Sequence, residues 1–212
     1  MQRRRPRTGK TPTMKSLFPL LALALVAAHA PAQAADLARA EEIVKGQCAM
    51  CHGEQGESSS PVFPRLAGQH AAYVARQLSD YKSGRRQSTT MQPMVQDLVP
   101  ADFPALGAYF EKQPTVAHPV ADPELAQVGR YIYLRGNADS GLPACASCHG
   151  EAGQGTDTLP RLAGQHARYT ERQLKLFERR ERTNDNAVMH TVAAKLTELE
   201  IKAVASYVSG LQ

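Results

Sequence analysis

Tryptophan is absent from the 212 residues, and aromatic residues make up only 6% of the chain. With so few large rings, and with 15 glycines and 14 prolines, small cores are hard to close by side chains alone. Something else is expected to fill them. No alternating apolar and polar run is long enough to argue for a sheet. No apolar run reaches the roughly 18 to 20 residues that a membrane helix needs. The longest, Leu17 to Ala28, is closed by His29, Pro31 and Gln33. Arg3, Arg4, Arg5, Arg7, Lys10 and Lys15 precede that run and Ala32-Gln33-Ala34 follows it, which is the order of a secretory signal. Residues 1–34 are therefore expected to be removed and the mature chain to begin near Ala35, with Met1 or Met14 as initiator.

A basic excess is also missing once the leader is set aside. The formal charge of +5 includes 6 of the 25 lysines and arginines within residues 1–34 and none of the 20 acids. The remaining chain has 19 basic against 20 acidic side chains, so no nucleic-acid partner is expected. Cysteine is scarce too. Four thiols in an exported chain ordinarily suggest two disulfides, but these fall as Cys48-Ala49-Met50-Cys51-His52 and Cys145-Ala146-Ser147-Cys148-His149.

What the chain does have is a repeat. PRLAGQH occurs as Pro64 to His70 and as Pro160 to His166, and the matching surroundings extend the repeat over a whole domain. Met91 lies seven residues before Leu98 and Met189 seven before Leu196; Tyr109 and Tyr207 each lie eleven beyond that leucine. Two halves are expected, residues 35–112 and 123–212, joined by an exposed linker at 113–122. Apolar spacing predicts opening helices over Ala38 to Gln47 and Pro123 to Leu134, and a second helix after each PRLAGQH. A closing helix in the second half is predicted to start from the capping box at Thr197 and Glu200 and to present Leu199, Val204, Tyr207 and Val208. In the first half Pro104 shifts the expected start to Asp102.

Two thiols two residues apart, followed at once by histidine, can add to the two vinyl groups of haem and place an imidazole beneath its iron. Zinc would want four ligands per site, and a redox-active C-x-x-C would need no histidine. Two covalent haem c groups are expected, held by Cys48 and Cys51 and by Cys145 and Cys148, with His52 and His149 as iron ligands. For the sixth position, Met91 and Met189 stand 39 and 40 residues after those histidines, and Met91 is preferred to Met94 by its register. His70 and His166, equally repeated, compete for the role; His118 and His190 are poor candidates.

These motifs together resemble the dihaem cytochrome c4 family over nearly all of the chain downstream of the leader. The resemblance implies an all-α fold of two tandem class I cytochrome c domains, each a few helices around a covalent haem. It implies a periplasmic electron carrier, with a quinol-oxidising complex as donor, a terminal oxidase as acceptor and loose membrane association. It also implies that Pro64 and Pro160 offer carbonyls to His52 and His149, and that Arg65 and Arg161 lie near haem propionates. The competing reading is the haem subunit of a redox enzyme, such as a sulfur-oxidising flavocytochrome, or a dihaem peroxidase. The run Arg179-Arg180-Glu181-Arg182 is a candidate docking patch for an acidic partner.

Overall fold

The computed structural model describes Gln2 and residues 30–212. Of the expected leader, residues 1–34, residues 1 and 3–29 lie outside the described residues. Among them there is no strand, only an isolated antiparallel bridge between Asn137 and Leu142. No described helix is long and apolar enough to cross a membrane.

The opening helix α1 spans Ala30–Ile43 and continues through a π-helical turn, Val44–Cys48, into the short helix α2, Ala49–His52. It starts well before Ala38, because the alanine-rich stretch after Pro31 has high helix propensity and holds no breaker. The first half continues with α3 (Ala71–Lys82), α4 (Met91–Met94) and α5 (Asp102–Glu111). Asp102 is buried and does two jobs. Its carboxylate accepts Arg39 Nε at 2.6 Å and Nη2 at 3.1 Å, tying α1 to α5, and accepts the Val99 N–H at 2.8 Å. Pro104 falls in the first turn of α5, where its missing N–H would have had no helical partner. Val44, Val95, Leu106 and Phe110 form the centre of this half's core.

In the second half, α6 (Pro123–Arg135) is capped by the Asp122 side chain on the Leu125 N–H, and α7 is Ala146–His149. Then come α8 (Ala167–Glu178), α9 (Val188–Ala193) and α10 (Glu198–Ser209). Thr197 and Glu200 form the predicted capping box, worth about 1 kcal/mol. Glu200 also accepts from Asn137 Nδ2 at 2.8 Å, so the end of α6 is tied to the start of α10. The buried face of α10 carries Ile201, Val204 and Val208 against Tyr133 and Leu174. Leu199 is not on it. It is 61% exposed, since the residues three and seven positions beyond Ile201 define the inward stripe.

α6 and α10 cross with backbones in contact. A Cβ on Gly129 would stand 1.9 Å from the Ala203 carbonyl oxygen, so this crossing tolerates no side chain there. Residues 113–122 form no helix and run mostly exposed between the two groups of helices.

Candidate functional site

The π-turn and α2 set Cys48, Cys51 and His52 on one tight turn, and α7 does the same for Cys148 and His149 beside Cys145. Both helices end at once because Gly53 and Gly150 adopt φ of 76° and 80°, a conformation that glycine enters without strain. The chain then folds back. Buried His52 lies with Nδ1 2.8 Å from the Pro64 carbonyl oxygen, and buried His149 with Nδ1 3.2 Å from that of Pro160. A carbonyl can only accept, so Nδ1 carries the proton in both rings and Nε2 keeps a free lone pair. Burial lowers the pKa of both imidazoles below the ordinary histidine value, opposed by those carbonyl bonds.

The four thiols are unpaired. Burial pushes Cys48 and Cys145 up to about 11, the reverse of the depressed pKa on which a redox C-x-x-C depends. Among the described residues no three His, Cys, Asp or Glu side chains converge as metal ligands would. The surroundings suit a different group. Cys48 and Met91 both border the first apolar core, and Cys145 and Met189 both border the second. Each methionine begins or nearly begins a short helix whose N–H groups are capped from the preceding loop: Met91 N–H by Ser88 Oγ at 3.1 Å, Met189 N–H by Asp185 Oδ2 at 2.6 Å. Met94 is 40% exposed. Arg161 Nε is buried without a partner, a donor suited to a carboxylate such as a haem propionate. Two thiols, an imidazole with a free Nε2 and a thioether around each apolar core fit haem c.

The repeat has a second use that the linear reading missed. Gln69 Oε1 accepts the Arg161 N–H at 2.9 Å and its Nε2 donates to the Arg161 carbonyl at 2.9 Å. Gln165 does the same to Arg65, at 2.9 Å in both directions. His70 Nε2 donates to the Gln154 carbonyl at 2.7 Å and His166 Nε2 to that of Ser58 at 2.8 Å, each across to the other half. These histidines are therefore occupied between the halves rather than aimed into either core. His190 is engaged within its own half, Nδ1 to the Phe177 carbonyl at 3.0 Å.

Deeper in the same interface lie two buried arginines. Arg86 donates to Tyr169 and Gln173 of the second half, and Arg182 to Tyr73 and Gln77 of the first. Each also stacks on an aromatic face of its own half, Tyr81 at 4.7 Å and Phe177 at 4.5 Å. This corrects the docking expectation for Arg182, which is 7% exposed; of the run's arginines Arg179 and Arg180 are exposed, with the acidic Glu181 exposed beside them. The signal was available, since Tyr73, Gln77 and Arg86 recur 96 positions later as Tyr169, Gln173 and Arg182. The halves also differ in charge beside this interface. Glu57 Oε2 lies 3.2 Å from Arg65 Nε and 3.1 Å from His118 Nε2, whereas the counterpart of Glu57 is the neutral Gln154.

The class follows from this geometry. The cytochrome c family model matches residues 37–132 and 142–212: the chain is a c-type cytochrome, an electron-transfer protein. It is 43% identical over 183 residues to cytochrome c4 of Thiocapsa roseopersicina, covering 84% of this chain and 94% of that one. The crystal structure of reduced recombinant cytochrome c4 from Pseudomonas stutzeri is similar with a TM-score of 0.79 and 39% identity, over 83% of this chain and 98% of that one. The thiosulfate dehydrogenase electron acceptor of Stutzerimonas stutzeri is 35% identical over 212 residues, covering 92% and 95% of the two chains. Within its class the chain belongs to the dihaem cytochrome c4 family, two tandem class I domains carrying two covalently bound haem c groups.

Proposed function

We propose that the protein is a periplasmic carrier in which Cys48, Cys51, His52 and Met91 hold one haem and Cys145, Cys148, His149 and Met189 the other. The observation that carries this reading is the doubled arrangement of a carbonyl-oriented histidine and a methionine on the border of the same apolar core. Haem supplies a reversible one-electron couple, which thioether ligation raises in potential. The chain's residues do the remainder. Pro64 and Pro160 hold the imidazoles by their Nδ1 protons, and Met91 and Met189 would supply each iron's second protein ligand, closing it to substrate. The apolar cores would keep water from the haem. Electrons are expected to come from a quinol-oxidising complex and go to a terminal oxidase, with residues 1–34 removed on export.

A visible and near-infrared spectrum of the purified oxidised and reduced protein tests this, together with its intact mass. The expected results are two haems on residues 35–212 and the weak red absorption of methionine sulfur on ferric haem at two equivalents. One haem, or two histidines on either iron, would overturn the assignment.

A second reading has its own support in the relative named as a thiosulfate dehydrogenase electron acceptor: the donor is a sulfur-compound dehydrogenase. Rapid reduction by such an enzyme with thiosulfate, and slow reduction by a quinol-oxidising complex, would favour it.

A further inference from the structure

The peptide bond between Pro64 and Arg65 is used on both sides. Its carbonyl oxygen accepts the His52 Nδ1–H at 2.8 Å, and its N–H donates to Gln165 Oε1, in the other half, at 2.9 Å. The peptide between Pro160 and Arg161 repeats this, with His149 at 3.2 Å on one side and Gln69 Oε1 at 2.9 Å on the other. We infer that Gln165 and Gln69 are positioning residues that tune the electron donation of the opposite half's histidine through a single peptide group.

The physical argument is polarisation along a hydrogen-bonded chain. An amide whose N–H donates to a good acceptor carries more negative charge on its oxygen, so the bond that oxygen accepts is strengthened by about 10–30%. A stronger acceptor at Nδ1 makes the imidazole a better donor at Nε2, which favours ferric iron. Both glutamines are placed for this. They are buried, at 6% and 8% exposure, and each is locked by its own Nε2 bond to the carbonyl of the same arginine. The side-chain oxygen therefore cannot rotate away. The effect is crossed: the second half adjusts the first iron and the first half the second. It is also unequal, because the His52 bond is 0.4 Å shorter than the His149 bond.

This inference rests on the assignment of His52 and His149 as iron ligands. It is tested on the full dihaem protein with Gln165→Met and Gln69→Met, which keep length and neutrality and lose the acceptor. The two potentials are followed separately through the haem methyl signals of each half in paramagnetic NMR. Gln165→Met is expected to favour reduction of the first half's haem by about two- to fivefold, which is roughly 20–40 mV for one electron. It should leave the second half's haem within experimental error. Gln69→Met is expected to do the reverse, by a smaller factor. Gln165→Glu retains an acceptor oxygen, and the first half's potential should not rise.

The His52 Nδ1–H resonance of the reduced protein gives a second readout, moving upfield in Gln165→Met. Loss of stability with unmoved potentials and an unmoved resonance would make the glutamines clamps only and overturn the inference. Equal shifts in both halves would overturn it as well, since loosening of the whole interface acts on both. Failure of the ligand assignment is separable, for it would show in the wild-type spectrum before any variant is made.

Discussion

Replacing Arg182 by glutamine separates a buried interface residue from a solvated charge. In the structure Arg182 Nη1 donates to Gln173 Oε1 at 2.8 Å, Nη2 to Tyr73 Oη at 3.0 Å and to Gln77 Oε1 at 3.1 Å, and Nε to Asn184 Oδ1 at 3.1 Å. The acceptors are not all stranded by its loss. Gln77 keeps Arg86 Nη1 and Asn184 Nδ2, and Gln173 keeps Arg86 Nη2. The cost is then four bonds from a charged donor at modest net value plus the Phe177 stacking, offset by relief between two like charges that share acceptors. That leaves about 2–3 kcal/mol. For a chain of this size, the melting midpoint should fall by roughly 5–10 °C. Arg179→Gln and Arg180→Gln, on the exposed side of the same run, should stay within about 0.5 kcal/mol of the parent. Thermal unfolding of the dihaem protein followed by far-ultraviolet circular dichroism measures all three. An Arg182→Gln protein as stable as its parent, but slower to exchange electrons with its partner at low salt, would refute the interface argument and restore the docking one.

Met91→Ala should remove half of the weak red absorption of methionine on ferric haem and lower one potential, whereas Met94→Leu, at a 40% exposed site, should leave both unchanged; the reverse outcome would mean the wrong methionine was chosen. His166 supplies a pH dependence. Burial, and then the charges of Arg65 and His118, lower its pKa, against the Ser58 carbonyl bond and Glu57, which raise it. The neutral form is the folded one. Its contribution is full above the ordinary histidine value of about 6.5 and is lost as pH falls below it. Unfolding midpoints should drop on acidification from about pH 7.5 to 5.5, and His166→Gln should flatten that slope; an unchanged slope would assign it to another group.

Much of the fold can be read from local chemistry. The start of α10 at its capping box and of α5 at Asp102, ahead of Pro104, each depend on a few adjacent residues. The doubled C-x-x-C-H motif and the two methionines are likewise local. What could not be read depends on partners far along the chain. Leu199 has the right polarity for the core, yet the Gly129 and Ala203 contact sets the rotation of α10 and turns it outward. The run ending at Arg182 looks solvated until aromatic and amide groups about 100 residues away close over it. The Asn137 and Leu142 bridge belongs to an excursion between α6 and Cys145 that has no counterpart in the first half, so no repeat could predict it. PRLAGQH was legible as haem support and illegible as an interface, because one sequence serves both.

An interface in which Gln69 grips Arg161 while Gln165 grips Arg65 has the pattern of a two-fold homodimer, where each patch meets its own copy. The protein can be viewed as such a dimer with its two subunits written into one gene. Tethering removes the concentration dependence of assembly, since a short linker holds the partners at an effective concentration on the order of millimolar. It also frees each copy from the requirement of identity. Glu57 against Gln154, Asp80 against Leu176 and Met50 against Ser147 are substitutions that an exact two-fold would have forced to occur twice. A symmetric pair would hold two indistinguishable irons; a tethered one can hold two that differ.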